Sequence, residues 1–132
     1  MKKLLPIIIL ILFMASCGPR SGDTLFKLHI ADPIPSSVKN LEGTEKTGSG
    51  LAGNWAVITC DIDPKDAKAL IMKLGYPKYI PEDKGPEKGL LEGCRNLNIE
   101  PDEIFLKDNS TLKWILIFNK EKTKLYYTYI KI

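Results

Sequence analysis

Apolar and polar positions divide this chain into an uninterrupted apolar opening, a polar stretch, and a body in which strand-like and helix-like spacings alternate. Residues 4–14 are apolar throughout, with Pro6 inside the run. Residues 18–24 are short, polar and rich in Gly and Pro, which suits a flexible tether. Residues 25–30 alternate, with Phe26, Leu28 and Ile30 on one side, and predict a first strand. Pro33 and Pro35 deny the ladder two amide donors and end it. Residues 36–41 predict one helical turn with Val38 and Leu41 facing inward. Residues 42–53, rich in Gly and charge, predict a loop. Residues 55–62 form an apolar, β-branched run, expected as a central strand buried on both faces.

The strongest local signal follows. Asp63 suits an N-cap, Pro64 the first helical position, and Asp66 places negative charge in the first turn. Ala67, Leu70, Ile71 and Leu74 recur at helical spacing, Gly75 suits a left-handed cap, and Pro77 forbids continuation. A helix over 64–74 is therefore predicted. Residues 76–89, with three prolines, predict a long irregular connection. A short helix over 86–94 is opposed by Gly89 and Gly93. Residues 103–106 predict a short strand and 108–110 a turn. Residues 112–118 and 124–130 are strands rich in aromatic and β-branched residues, joined by five polar residues as a hairpin. The expected fold is one α+β domain over residues 25–132: an antiparallel sheet of four or five strands, one main helix on a face, and a C-terminal β-hairpin.

Met1-Lys2-Lys3, the eleven-residue apolar run and the small residues Ala15 and Ser16 together describe a secretory signal over residues 1–16. The run is too short to cross a bilayer, which takes about 20 apolar residues. Phe13-Met14-Ala15-Ser16-Cys17 resembles the lipobox of bacterial lipoproteins, a large apolar residue and two small ones before an obligatory cysteine. The resemblance covers residues 1–17 and departs at Met14, where the family usually has Leu. It implies cleavage between Ser16 and Cys17, a diacylglyceryl group on the Cys17 sulfur, and a membrane-anchored, exported protein. Gly18, where Asp often marks inner-membrane retention, inclines that expectation towards an outer membrane in a two-membrane cell. Residues 34–38 and 55–74 also loosely resemble small bacterial exported proteins that carry no assigned activity.

Losing Lys2 and Lys3 with the signal lowers the formal charge from +3 to +1. A near-neutral domain offers no electrostatic footprint for nucleic acid, so none is expected as partner. Cys60 and Cys94 are the remaining cysteines. In an oxidising compartment they are a candidate disulfide; buried free thiols are the alternative.

No catalytic constellation stands out, and no cofactor or metal is expected. Asp61, Asp63 and Asp66 lack the glycine and terminal Glu of a calcium loop, and helix capping accounts for Asp63 and Asp66. His29 with Asp32 is a weak acid–base candidate, with no nucleophile setting beside it. Glu100, Asp102 and Glu103 flank Pro101 and read as solvated. Lys113, Lys120, Lys122, Lys124 and Lys131, interleaved with Tyr126, Tyr127 and Tyr129, make the hairpin basic. Lysines guarding an edge strand explain that pattern, and contact with anionic lipid or cell-wall polymer is an alternative. The expectation is a non-enzymatic envelope lipoprotein with a protein-interaction or structural role and a possible envelope protein partner. A small-ligand or cell-wall-binding module comes second, and an enzyme third.

Overall fold

A computed structural model describes residues 20–46, 55–80, 87–109 and 111–131. The signal residues, Ser16 and Cys17 lie outside the described residues. Helix α1 (Gly22–His29) leads to strands β1 (Lys39–Lys46) and β2 (Trp55–Asp61), then helix α2 (Pro64–Leu74). Strand β3 (Lys78–Tyr79), helix α3 (Glu87–Asn96) and strands β4 (Glu103–Asp108), β5 (Leu112–Phe118) and β6 (Lys124–Lys131) complete the order. The strands make one six-stranded sheet in the order β1-β2-β6-β5-β4-β3, antiparallel at every pairing. The class is α+β, as expected, with six strands rather than four or five.

The pleat sorts the core into two layers, one on each face. On one face Leu25, Phe26 and Ile30 from α1, with Ala67 and Leu70 from α2, pack on Ile58, Cys60, Phe105, Leu116, Phe118, Leu125 and Tyr127. On the other, Cys94 of α3 and Ile99 pack on Ile104, Ile115, Ile117 and Tyr126. Successive strand side chains point to opposite faces. Ile117 and Phe118 therefore serve different layers while both are fully buried. The main helix α2 packs on one face as expected, α1 joins it there, and α3 covers the other face.

Helix α2 has the bounds its local signals predict, and Gly75 adopts the left-handed conformation at φ 63°. The Asp63 side chain makes no capping bond. Instead Ser37 Oγ accepts from the Asp63 amide at 3.1 Å and donates to Asp66 Oδ2 at 2.5 Å, tying the helix start to the preceding chain. The β5–β6 turn is held by Asn119, whose Oδ1 accepts from the amides of Thr123 and Lys124.

Several expectations fail for identifiable reasons. Residues 25–29 lie in α1 and Ile30 is its C-cap, so the segment is not a strand. Ser21 caps that helix by accepting from the Thr24 amide, and Asp23 and Lys27 complement the dipole at the two ends. The helix also takes up the end of the expected tether. Residues 36–41 turn and then enter β1, which continues to Lys46 where a loop was expected. Strand β1 is an edge: charged, irregular between Lys39 and Glu42, and carrying Asn40 at φ 52°. Charge and irregularity on an edge discourage pairing with other chains. Strand β2 is central but alternates, with Ala56, Ile58 and Cys60 fully buried and the intervening residues half-buried.

Candidate functional site

Two polar arrangements stand at opposite ends of the sheet. The first is an open cleft of about 510 Å³ where β2 passes into α2 and β6 begins, lined by Ser36, Ser37, Lys39, Asp61, Asp63 and Lys124 among others. Register places its charges: Lys39 pairs Asp61 across β1–β2, and Asp61 pairs Lys124 across β2–β6. Lys124 Nζ donates to Asp61 Oδ1 at 2.8 Å, and Asn40 Nδ2 donates to Oδ2 at 2.7 Å. These two bonds, Lys124 first, hold the Asp61 carboxyl below its ordinary range. Both partners of the ion pair are about two-fifths exposed, so the pair contributes at most about 1 kcal/mol. A cleft of this kind offers donors and acceptors to a small polar ligand.

The second arrangement surrounds the start of α1. Arg20 donates to Glu45 from Nε at 2.7 Å and also from Nη2. This forked contact holds Glu45 well into its charged form. His29, one helix-length on, lies with its ring centroid 5.2 Å from Tyr129 and 5.8 Å from Tyr127. Burial lowers its pKa first, and the Arg20 charge adds to that. A neutral imidazole against two rings is a packing arrangement. Tyr127 is fully buried, and its hydroxyl has no hydrogen-bond partner among the described residues.

The remaining candidate residues are dispersed. Among the described residues no hydrogen bond or ion pair joins His29 to Asp32 or Asp61, and His29 does not line the cleft. Asp61, Asp63 and Asp66 come near one cleft, but among the described residues no group of three or more His, Cys, Asp or Glu side chains is arranged to hold a metal ion. Cys60 and Cys94 are free and buried. They belong to the layers on opposite faces of the sheet, which accounts for the lack of a bridge and corrects the disulfide alternative. Burial pushes each thiol up to about 12, leaving almost no thiolate to act as nucleophile or ligand.

The hairpin lysines also separate. Lys122 pairs with Glu103 at 3.2 Å and Lys124 with Asp61, both at the cleft end. Lys113 and Lys131 lie at the other end, with Asp108 at 4.0 Å from Lys113. Glu100 contacts Arg95 at 3.3 Å, an exposed pair. The residues that sequence patterning missed are Arg20 and Glu45: both stood in segments expected to be irregular, and only the folding of α1 onto β1 brings them together.

Comparison with known proteins finds no matching family model, no matching curated protein and no matching solved structure.

Proposed function

We propose that the chain is an exported lipoprotein held to a cell-envelope membrane through lipid on Cys17, with a domain that serves as a non-enzymatic protein-contact or structural unit at the membrane face. The observation that carries this is the run Phe13-Met14-Ala15-Ser16-Cys17 behind a positive, apolar opening. Two acyl chains give stable anchoring where one gives marginal binding. The fold adds a constraint. Arg20, three residues after Cys17, is already bonded to Glu45, and Ser21 already caps α1. The reach from lipid to folded domain is then roughly 10 Å, three extended residues. Any partner must meet a domain that sits directly on the bilayer.

Intact mass of the membrane-extracted protein tests the anchor. It should exceed that of residues 17–132 by the lipid, and Cys17→Ala should leave the protein unanchored or unprocessed. An unmodified N-terminus at another position refutes it. Crosslinking in cells followed by capture of a tagged form should recover one specific envelope protein, and recovery of none counts against the contact role.

A second reading, binding of a small polar ligand or cell-wall fragment, is favoured by the open cleft at Lys39, Asp61 and Lys124. Lys39→Glu with Lys124→Glu should abolish cell-wall co-sedimentation under that reading and leave it unchanged under the first.

A further inference from the structure

The end of the sheet nearest the anchor carries a row of four side chains spanning four adjacent strands. Register pairs Lys46 with Trp55, Trp55 with Ile130, and Ile130 with Lys113. Residues directly opposite in an antiparallel ladder share a face. The row therefore runs Lys-Trp-Ile-Lys on one side of the sheet, with two cations flanking an aromatic and an aliphatic residue. Ile130 is 38% exposed, Lys46 is exposed, and Trp55 and Lys113 are partly exposed. Lys131 follows Ile130 in β6, so it stands on the opposite face at the same end of the sheet, and it is exposed. Arg20 and Glu45 stand at the same end, since Glu45 precedes Lys46 in β1.

The opposing charges at this end are few. Glu45 is occupied by Arg20, Asp108 lies 4.0 Å from Lys113, and Asp23 sits in the first turn of α1. By sequence, residues 47–54, which join Lys46 to Trp55, carry no charged side chain. Lys107, one register step inward, lies over the rings of Trp114 and Tyr76. The far end is different: there Lys122 and Lys124 are paired with Glu103 and Asp61, beside Asp63 and Asp66. The positive end is thus the one from which the chain leads back to Cys17.

We propose that this end, built on Lys46, Trp55, Lys113, Ile130 and Lys131, seats against the headgroups of anionic phospholipid. The inference rests on the lipid-anchor reading and deepens it by giving the domain one orientation on the membrane. Lysine stems lie along apolar surface while their ammonium groups reach phosphate, and an indole suits the boundary between water and acyl chain. Basic residues close to an anionic leaflet are attracted over about one Debye length, and the short reach from Cys17 brings this end of the sheet, which begins at Arg20, towards that range.

The test uses mature protein extracted from membranes, its lipid verified by intact mass, and reconstituted into two kinds of vesicle. One is phosphatidylcholine with phosphatidylglycerol, and the other is phosphatidylcholine alone. Brief amine acetylation followed by peptide mass spectrometry reads each lysine. On anionic vesicles Lys46, Lys113 and Lys131 should react several-fold more slowly, relative to Lys39, Lys65 and Lys120, than on neutral ones. Raising the salt to about 1 M, where screening acts within about 3 Å, should erase the difference. Lys46→Glu with Lys131→Glu should remove the protection at Lys113. Even labelling, protection at Lys39 or Lys120 instead, or equal protection on neutral vesicles overturns the inference while the lipid mass leaves the anchor reading intact. A mass without lipid overturns both.

Discussion

Replacing Gly43 by alanine tests how α1 is held. Gly43 lies in β1 directly beneath the start of α1. A Cβ there would stand 2.8 Å from the Gly22 Cα and 2.9 Å from Leu25 Cδ1. The leucine tip can rotate aside, but the Gly22 Cα is backbone, so the helix itself must move. What the helix loses by leaving is large: Leu25 and Phe26 are both fully buried, at roughly 1.5–3 kcal/mol each. Detachment would therefore cost more than the clash, and α1 is expected to shift and repack instead. Overpacking of this kind costs about 1–3 kcal/mol. The lost flexibility of glycine in the unfolded chain returns about 0.5–1 kcal/mol. Because the clash is with backbone, the overpacking cost lies in the upper part of that range, about 2–3 kcal/mol, and the net cost is about 1–2.5 kcal/mol, a fall in thermal midpoint of roughly 4–10 °C for a domain of this size. Thermal unfolding followed by circular dichroism measures it, and amide exchange at Leu25 and Ile30 should quicken. Gly93→Ala in α3 is the control. Nothing lies within 4 Å of its added Cβ, so it should stabilise by about 0.5–1 kcal/mol. An unchanged or raised midpoint in Gly43→Ala would show that α1 does not rest on β1 as described.

Three further outcomes are expected. Tyr127→Phe should be neutral or stabilising by up to about 1 kcal/mol, because the buried hydroxyl it removes has no partner among the described residues; a loss above about 1 kcal/mol in chemical unfolding would reveal a bond to that oxygen. His29 has its pKa lowered from 6.5 on folding, so its neutral form is the one the fold prefers. Stability should hold above about pH 6.5 and decline as pH falls through the folded-state value. That slope should vanish in His29→Phe, leaving the separate loss from Asp61 and Glu45, which begins only below their unfolded values near 4. Cys60 and Cys94 should resist a thiol reagent in the native protein and both react in denaturant, with no change in melting on adding reductant; a mass two hydrogens short would mean a bridge had formed.

The elements legible in the sequence are those whose signals act within one turn or one hairpin. Helix α2 begins and ends where Pro64 and Gly75 say it must, because a missing amide and a left-handed cap are decided by the residue alone. Strand β2 and the β5–β6 hairpin follow from apolar, β-branched runs around a polar turn. Residues 25–30 fit two periods. A strand would bury Phe26, Leu28 and Ile30, whereas the helix with its C-cap buries Leu25, Phe26 and Ile30 and leaves Leu28 58% exposed. The cue that separated them was the cap, Ser21 with Asp23, which lay in what read as tether. Strand β1 could not be seen at all, since Lys39, Glu42, Glu45 and Lys46 carry no apolar alternation.

The order of residues alone was enough for the α+β class, helix α2 and the β5–β6 hairpin, and it carries the run on which the proposed lipidation of Cys17 rests. Local stereochemistry and hydrophobic spacing are enough for those. Strand β1 exists through its pairing with β2, because an edge strand takes its hydrogen bonds from a neighbour and its conformation from that pairing. The tertiary structure alone decided that Cys60 and Cys94 lie on opposite faces, since one is assigned by the pleat of β2 and the other by the side on which α3 docks. It also gathered Lys46, Trp55, Ile130 and Lys113 into one row. Residues far apart in the chain become neighbours only through register, which the whole sheet sets together.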